Sequence, residues 1–286
     1  MDNRPLVSVL MTAYNREAFI SQAIESVKAS TYANWELIIS DDCSIDSTLQ
    51  IAKKHAMADS RIQVFKNEIN LGDYPNRNKV ATYSVGEYLM YVDSDDKIHA
   101  DGIENCINQM LKYPESSFGM RIFVDNTDPF KLTSEIIIRE HFFKSPLLMM
   151  GPGGTIIKRT FFETISGYPV KYGPANDMYF NLKAALHSPV VLIPFEFMYY
   201  RRHEGQQINN KFSYLYNSYL YLHDALAELK LPLTPEDIDY LQKKNKRRFL
   251  VNIFKYFIST GNFSKTHFAI QQTRFNVNDL FSAIFH

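Results

Sequence analysis

The stretch Glu87–Asp96, Glu-Tyr-Leu-Met-Tyr-Val-Asp-Ser-Asp-Asp, decides the fold. Tyr88 to Val92 is apolar and too short for an ordinary helix, so it predicts a buried strand of a parallel sheet. The carboxylates of Asp93, Asp95 and Asp96 follow where that strand should end, and they would repel one another unless a cation lay among them. Ligands of open α/β sheets bind at the carboxyl ends of the strands, and Mg²⁺ or Mn²⁺ prefers such oxygen ligands. The stretch therefore predicts a metal site beside bound phosphates, although a lone Asp-x-Asp would also suit a solvated turn.

Composition narrows the class of protein. Of the 286 residues, 45% are hydrophobic and 22% charged, which is typical of a globular chain with a sizeable core. Lys plus Arg equals Asp plus Glu at 31 each, so no overall field favours nucleic acid. Two cysteines, Cys43 and Cys106, form no disulfide framework, and no apolar run approaches the ~20 residues of a membrane span. With no signal sequence before the first strand, we expect a cytoplasmic protein that at most contacts the inner face of the membrane.

Apolar runs of strand length alternate with helical patterns throughout the first part of the chain. The runs are Leu6–Met11, Trp35–Ile39, Ile62–Phe65 and Tyr88–Val92. Helical spacing follows each of them, and the third and fourth helices are predicted from about Asn76 and over Asp101–Tyr113. This order is typical of βαβ units, so we predict an α/β fold with a mostly parallel sheet and helices on both faces.

The second half is less regular. Residues 125–154 are rich in proline and glycine and are interpreted as an excursion over the sheet. Further predicted elements are a strand at Thr155–Ile157, a helix over about 176–186, and strands at Val190–Ile193 and Phe197–Tyr200. A helical C-terminal segment follows, which divides the chain into domains 1–208 and 209–286.

Polar groups follow three of the predicted strands. They are Thr12 and Tyr14 after the first strand, Asp41 and Asp42 after the second, and the three carboxylates after the fourth. Each group alone is explained by turn chemistry, because Asp and Asn favour turns. Together, at one edge of a sheet, they predict a cleft that holds a nucleotide, with the metal ligands near its phosphates.

These motifs resemble family 2 of the inverting, nucleotide-sugar-dependent glycosyltransferases, which have the Rossmann-like GT-A fold. The matching segments are the opening strand Val7–Asn15, the Asp-Asp-x-Ser-x-Asp-x-Thr motif at 41–48, Asn70-Leu71-Gly72, Arg77-Asn78, Gly86-Glu87-Tyr88 and the Asp-x-Asp. They cover residues 6–96 nearly without gaps, and weaker matches reach about residue 208. The last part of the chain carries no motif of the family.

The resemblance implies roles for the residues of the cleft. Thr12, Tyr14 and Asp41 would bind the nucleotide, with Asp41 accepting a hydrogen bond from the imide of uracil or thymine. Asp93 would lie near the ribose and the metal. Two other residues have open alternatives. Asp95 would be the main metal ligand unless Asp96 takes that place, and Arg77 either holds the phosphates or is an ordinary helix-surface arginine.

The resemblance also places a base and a further metal ligand in the second half. Asp177 matches the family's catalytic aspartate, while Asn176 departs from the usual acid and would either bond the acceptor or cap the helix. An inverting transfer needs a base for the acceptor hydroxyl, although Asp177 would also suit the first turn of any helix. His203, in Arg201-Arg202-His203, would complete the metal shell or contact the diphosphate. Gly151–Gly154 would form a flexible wall of the acceptor site.

The C-terminal segment has one readable feature. A basic cluster at 243–248 precedes an aromatic-rich helix that runs to residue 258. Residues 243–258 would either dock peripherally on an anionic membrane, or form a helix packed on the catalytic domain with a solvated basic end.

The sequence thus predicts a metal-dependent glycosyltransferase. It would move a sugar, with inversion, from a nucleotide donor (a UDP-sugar by preference) to a hydroxyl of a glycan or lipid-linked acceptor in bacterial surface polysaccharide synthesis. One alternative is a catalytically dead sugar-nucleotide- or glycan-binding protein of the same fold. Another is a sugar nucleotidyltransferase, which would normally carry a Gly-rich basic loop after the first strand. A dinucleotide dehydrogenase is disfavoured because Gly-x-Gly-x-x-Gly is absent there.

Overall fold

The computed structural model describes residues 4–123, 128–204, 206, 210–276 and 278–280. Its strands are Val7–Ala13 (β1), Trp35–Asp41 (β2), Ile62–Lys66 (β3), Tyr88–Tyr91 (β4), Lys97–Ile98 (β5), Phe118–Arg121 (β6), Phe130–Leu132 (β7), Thr155–Lys158 (β8), Val190–Ile193 (β9) and Met198–Tyr199 (β10). Its α-helices are Ile20–Lys28 (α1), Thr48–Ala58 (α2), Asp73–Ala81 (α3), Gly102–Lys112 (α4), Ser134–Phe143 (α5), Arg159–Thr164 (α6), Asn176–His187 (α7), Lys211–Glu228 (α8), Pro235–Thr260 (α9) and Phe263–Thr273 (α10).

In the described part of the chain, a mixed sheet has the order β3-β2-β1-β4-β8-β6-β9-β7. The first four strands in this order are parallel, as the βαβ pattern predicts. Strand β8 runs antiparallel to both β4 and β6, and β7 runs antiparallel to β9. Strands β5 and β10 form a separate antiparallel pair, which brings the segment after β10 close to the end of β4.

Both faces of the sheet are covered, because alternate residues of its strands enter two different cores. Leu10 and Ile38 belong to one buried cluster, while Val9 and Leu37 belong to the other. All four are fully buried. This is the arrangement expected of parallel strands with helices on either side, and it explains why these strands are continuous apolar runs.

Helix α3 begins earlier than predicted. It starts at Asp73 rather than at about Asn76, directly after Gly72, whose φ of 85° suits glycine. Pro75 lies in its first turn, where the absent N–H costs no intrahelical hydrogen bond. Asp73 and Tyr74 are therefore helical residues at the edge of the cleft.

Residues 125–154 contain two elements that the sequence did not predict, β7 and α5. Strand β7 extends the sheet, so this region is only partly an excursion over it. The predicted flexible wall at Gly151–Gly154 includes a buried 3₁₀ turn, Pro152–Gly154. A side-chain carbon at Gly153 would lie 2.5 Å from Cε of Met198, so this turn is closely packed.

The C-terminal helices pack on the sheet domain and on each other. Tyr221 and Ala225 of α8 share a hydrophobic cluster with Phe180 of α7. Helix α9 begins with a capping box, in which Thr234 and Asp237 each accept from the other's backbone N–H. No helix in the described ranges is long and apolar enough to cross a bilayer. The predicted boundary between 208 and 209 falls outside the described residues, and the division into two domains stays a prediction.

Candidate active site

Three parallel strands bring the predicted nucleotide-binding residues to one edge of the sheet. Ala13 of β1 is in register with Asp41 of β2, and N–H of Val92 donates to the carbonyl of Leu10 just beyond β4. The polar side chains that follow these strand ends therefore lie at the same edge. Thr12 is half-buried, and Tyr14 is 46% exposed.

Asp41 has a buried carboxylate with one unused oxygen. Its Oδ2 accepts a 3.1 Å hydrogen bond from N–H of Ser44, while Oδ1 has no hydrogen-bond partner among the described residues. A buried unpaired acceptor is costly, so such an atom usually has a ligand or water as its partner. This geometry is compatible with the imide contact that the sequence predicts for Asp41.

Asp42, the next residue, has a structural role. Its carboxylate accepts from N–H of Leu71 and of Gly72, at 2.8 and 2.9 Å, and from Nδ2 of Asn67 at 2.7 Å. These bonds fix the turn that precedes α3. The two aspartates of the motif therefore have different roles. Asp41 keeps an unpaired oxygen, and Asp42 positions helix α3.

Asp93, Asp95 and Asp96 form the acidic cluster. One oxygen from each carboxylate lies within 4.8 Å of the others, which is close enough for all three to hold a single cation. Asp96 is buried and its Oδ1 accepts a 3.0 Å bond from N–H of Arg201. Burial, and then the charges of Asp93 and Asp95, raise the pKa of Asp96 to about 7. This donor set, made of hard oxygens that repel one another, fits Mg²⁺ or Mn²⁺.

Asp95 is joined to two basic side chains. Nε of Arg16 donates to its Oδ2 at 2.9 Å, and Nε2 of His203 lies 2.9 Å from the same oxygen. The His203 ring stacks on Phe19, with ring centres 4.7 Å apart, and the guanidinium of Arg201 lies 5.5 Å from the same phenyl ring. The structure thus brings the predicted ligands Asp95 and His203 together and adds Arg16, which the sequence did not single out.

Arg77 lies inside the site. The residue is 6% exposed. Its Nε donates a 2.7 Å hydrogen bond to Oδ1 of Asp73. Its Nη1 forms an ion pair with Oδ1 of Asp93 at 2.7 Å, although the angle is poor for a hydrogen bond. The rings of Tyr74 and Tyr91 lie within 6 Å of its guanidinium. The alternative of a helix-surface arginine is therefore wrong. Arg77 is a buried cation that links α3 to the acidic cluster.

Asp177 lies in the first turn of α7, where its Oδ1 accepts a 2.7 Å bond from N–H of Met178. Burial raises the pKa of Asp177 to about 7, although the Met178 bond, the charge of Arg77 and the hydroxyl of Tyr74 act against this rise. The side chain remains partly exposed. A carboxylate with a pKa near neutrality that solvent can reach has the properties of a general base.

Both amide atoms of Asn176 form hydrogen bonds within the turn that precedes α7. Its Oδ1 accepts from N–H of Tyr172 at 2.9 Å, and its Nδ2 donates to the carbonyl of Gly173 at 2.7 Å. The side chain is 2% exposed. Of the two predicted roles, the local one agrees with this geometry, because the amide closes the turn before α7 and leaves Asp177 as the acid at this position.

A cavity of about 470 Å³ opens beside these residues, within the size range of small-molecule sites. It lies between the first turn of α3, the turn before α7 and the first turn of α8. Its walls combine carboxylate, amide and hydroxyl groups with one tyrosine ring, and they include Asp73, Tyr74, Asn176, Gln206, Asn210 and Ser213. This mixture of hydrogen-bonding groups and an aromatic face suits a sugar.

Sequence reasoning missed Arg16, Asp73 and Tyr74. A signal for Arg16 existed, since it follows a strand end within the matched opening segment. Asp73 and Tyr74 were hidden because the predicted start of α3 excluded them from the helix.

The comparisons with known proteins agree with this geometry. The model of glycosyl transferase family 2 matches residues 8–166, more than half of the chain. A relative from Escherichia coli, the UDP-Glc:alpha-D-GlcNAc-diphosphoundecaprenol beta-1,3-glucosyltransferase WfgD, is 43% identical over 107 residues. That alignment covers 37% of this chain and 42% of the relative, so the chain spans about two fifths of the length of this curated protein.

Two solved structures share the fold. Staphylococcus aureus TarS 1–349 in complex with UDP-GlcNAc superposes with a TM-score of 0.74 at 19% identity, over 97% of this chain and 81% of TarS. The mannosyltransferase PcManGT from Pyrobaculum calidifontis, in complex with GDP-Man and Mn²⁺, gives a TM-score of 0.66 at 13% identity, over 99% of this chain and 84% of the other. These likenesses confirm the predicted GT-A fold. The match of the family model over more than half of the chain establishes that the chain belongs to glycosyl transferase family 2.

Proposed function

We propose that this protein transfers a sugar, with inversion, from a UDP-sugar to a hydroxyl of a lipid-linked glycan during synthesis of a bacterial surface polysaccharide. The observation that carries the proposal is the acidic cluster of Asp93, Asp95 and Asp96 after β4, at the same sheet edge as the buried, unpaired Oδ1 of Asp41. The printed name of the E. coli relative, with its UDP-Glc donor and diphosphoundecaprenol-linked acceptor, supports the choice of substrate classes.

The donor half of the site has the groups that a nucleotide needs. Oδ1 of Asp41 is a buried acceptor for the imide N–H of uracil, and Thr12 and Tyr14 stand beside it at the same sheet edge. Asp93 is the member of the acidic cluster that follows β4 most directly, and we assign it to the ribose and the metal. The positive charge of Arg77 lies next to Asp93, and there it would pair with oxygens of the diphosphate.

Asp95, Asp96 and His203 would hold a divalent cation, with Asp93 at its side. The cation would be Mn²⁺ or Mg²⁺, as the oxygen ligands indicate, and the Mn²⁺ in the PcManGT complex supports this choice. When bound, it neutralises charge on the leaving diphosphate. His203 contacts Asp95 and stacks on Phe19, which holds its ring beside the acidic cluster.

Asp177 would act as the base. Its carboxylate takes the proton of the acceptor hydroxyl while that oxygen attacks the anomeric carbon of the donor. The bond from the anomeric carbon to the diphosphate breaks on the opposite side, and UDP leaves with the electron pair. Attack opposite the leaving group inverts the configuration at the anomeric carbon. The cavity beside Asp73 and Asn176 would place the acceptor sugar next to Asp177.

The test combines binding and turnover. UDP, GDP, CMP and dTDP are compared by thermal shift with and without Mn²⁺, and the preferred nucleotide then sets the choice of donor for transfer to a synthetic lipid-linked sugar. We expect metal-dependent stabilisation by UDP, and product of inverted anomeric configuration by NMR. Nucleotide binding without turnover on any acceptor, and with no hydrolysis of the donor, would instead favour a catalytically dead sugar-nucleotide-binding protein.

A further inference from the structure

The charge of this chain is distributed unevenly, although its total is zero. Residues 240–278 include neither Asp nor Glu. They carry eight basic side chains, which are Lys243, Lys244, Lys246, Arg247, Arg248, Lys255, Lys265 and Arg274. A segment of this composition at one end of a neutral chain is typical of binding to an anionic partner.

Helix α9 separates two kinds of residue on opposite faces. Leu241, Asn245, Phe249 and Ile253 recur every four residues and are buried against the rest of the molecule. Phe249 and Ile253 share a cluster with Tyr219 of α8. The inner face of α9 is therefore fully used by the fold, which leaves its outer face to solvent.

The outer face of α9 combines apolar and basic side chains, and we name it the α9 face. Apart from the adjacent pair Phe254 and Lys255, its residues follow one another at intervals of three or four, the spacing of one side of a helix. They are Tyr240, Lys244, Arg247, Val251, Phe254, Lys255 and Ile258. Phe254 is 63% exposed and Ile258 is 68% exposed. From Tyr240 to Ile258 the face is ~27 Å long at 1.5 Å per residue.

The start of helix α10 is also exposed. Gly261, with a φ of 61°, ends α9, and Phe263 begins α10 with 72% of its side chain exposed. Large exposed apolar residues placed next to one another are uncommon on monomeric proteins and mark interaction sites. Arg247 and Lys255 form no ion pair within the described ranges, so their charges remain available to a partner.

The chemistry of the α9 face favours an anionic lipid surface over other partners. Aromatic and aliphatic side chains enter the boundary between headgroups and acyl chains, while Lys and Arg beside them pair with the headgroups. The described helices include none that could cross the bilayer, so the contact would be at its surface. We propose that the α9 face docks this protein on an anionic membrane, with Val251, Phe254 and Ile258 inserted and Arg247 and Lys255 at the headgroups.

The test is sedimentation of the full chain with vesicles, in the absence of donor, metal and acceptor. Vesicles of equal parts phosphatidylglycerol and phosphatidylcholine are compared with vesicles of phosphatidylcholine alone. We expect binding to the anionic vesicles only, weakened when salt is raised to about 0.5 M. We also expect the double variants Phe254→Ser/Ile258→Ser and Arg247→Glu/Lys255→Glu to lower the bound fraction about tenfold. Because these positions are exposed, the variants are expected to fold normally, and circular dichroism checks this.

The matched control is Met57→Ser/Val85→Ser, which removes two apolar side chains that are 83% and 68% exposed on other parts of the surface. It should bind as the parent chain does. The proposal is overturned if the parent chain does not sediment with anionic vesicles, or if the α9-face variants and the control bind alike.

Two results would assign the face to another occupant and also overturn the proposal. One is a dimer in light scattering that Phe254→Ser/Ile258→Ser dissociates, without vesicle binding. The other is vesicle binding only after removal of residues 281–286. The inference does not depend on the proposed function, because transfer to an acceptor in solution is measured separately and should be unchanged in every α9-face variant.

Discussion

Nε of Arg16 donates a 2.9 Å hydrogen bond to Oδ2 of Asp95, so the carboxylate predicted to be the main metal ligand is already paired with a side-chain cation. Arg16 also donates from Nη1 to the carbonyls of Tyr14 and Asn15, which holds it in the turn after β1. A metal ion at Asp95 would have to share this carboxylate with Arg16 or displace it.

Removal of the charge of Arg16 should strengthen metal binding. In Arg16→Gln, the carboxylate of Asp95 no longer has a competing cation, so we expect Mn²⁺ to bind about three- to tenfold more tightly. Titration calorimetry of the nucleotide-free protein measures this directly. Arg61→Gln is the control, since it also removes an arginine paired with an aspartate, Asp59, but far from the cluster along the chain. Equal or weaker Mn²⁺ binding in Arg16→Gln would contradict the competition.

Neutralisation of Asp95 should uncouple the nucleotide from the metal. We expect Asp95→Asn to abolish the extra thermal stabilisation that Mn²⁺ gives in the presence of UDP, because the amide is a poor ligand for a hard cation. A ligand at ~100 times its dissociation constant adds about 2.7 kcal/mol, so the loss is easily measured. Asp59→Asn is the matched control. If Asp96 rather than Asp95 is the main ligand, Asp96→Asn will show the loss and Asp95→Asn will not.

Asp177→Asn should lower activity and raise stability. Loss of the base is expected to reduce kcat by about 10²–10⁴-fold, with little change in UDP affinity. In the folded protein the pKa of Asp177 is raised to about 7. Between about pH 4 and pH 7 the folded state therefore keeps a proton that the unfolded state has lost. Above pH 7 both states are ionised, and the buried carboxylate lowers the free energy of unfolding. Asparagine removes this cost, and we expect a free energy of unfolding about 2–4 kcal/mol higher at pH 8.

At pH 4 the same substitution should change stability by less than about 1 kcal/mol, because Asp177 is protonated in the folded state and about half protonated in the unfolded state there. Urea unfolding at pH 4 and pH 8 measures the difference. A variant that is destabilised at pH 8 would show that Asp177 is held as a stabilising anion, contrary to the base assignment.

The pH profile of the reaction should have an acid limb near pH 7. Below this pH Asp177 is protonated and cannot accept the hydroxyl proton, so kcat/KM should fall about tenfold per pH unit. Asp96 has a similarly raised pKa, and its protonation would weaken metal binding instead. The two causes are separated by repeating the profile at tenfold higher Mg²⁺, which shifts the limb only if metal binding sets it.

The sequence was sufficient to predict that several candidate residues lie at one edge of the sheet. Asp41 and the acidic cluster follow apolar runs, and a parallel sheet brings the ends of such runs together whatever the loops do. The positions of Asp95 and His203 relative to each other depend on the antiparallel pair β5–β10, which the sequence indicated only as one short strand. Their contact followed from the resemblance rather than from periodicity.

The remaining features depend on tertiary structure that local patterns do not encode. Whether Arg77 is exposed or buried is decided by Asp73, which enters the site only because α3 begins after Gly72. Strand β7, Phe130–Leu132, has only three residues, too few for their alternation to predict a strand, so it is defined by pairing with β9. The sequence left two roles open for Asn176, and the backbone groups of the turn that it closes favour the local one.

The acid-free segment 240–278 has a consequence for how the whole molecule behaves in an electric field. Since the chain is neutral, the rest of it carries eight more acids than bases, and the protein is a large electric dipole with its positive pole at the C-terminal helices. A charged surface orients a neutral molecule with such a dipole before it attracts that molecule. It should be retained on both cation- and anion-exchange columns near its isoelectric point, and its orientation on a charged surface, rather than its net attraction, should respond most strongly to ionic strength.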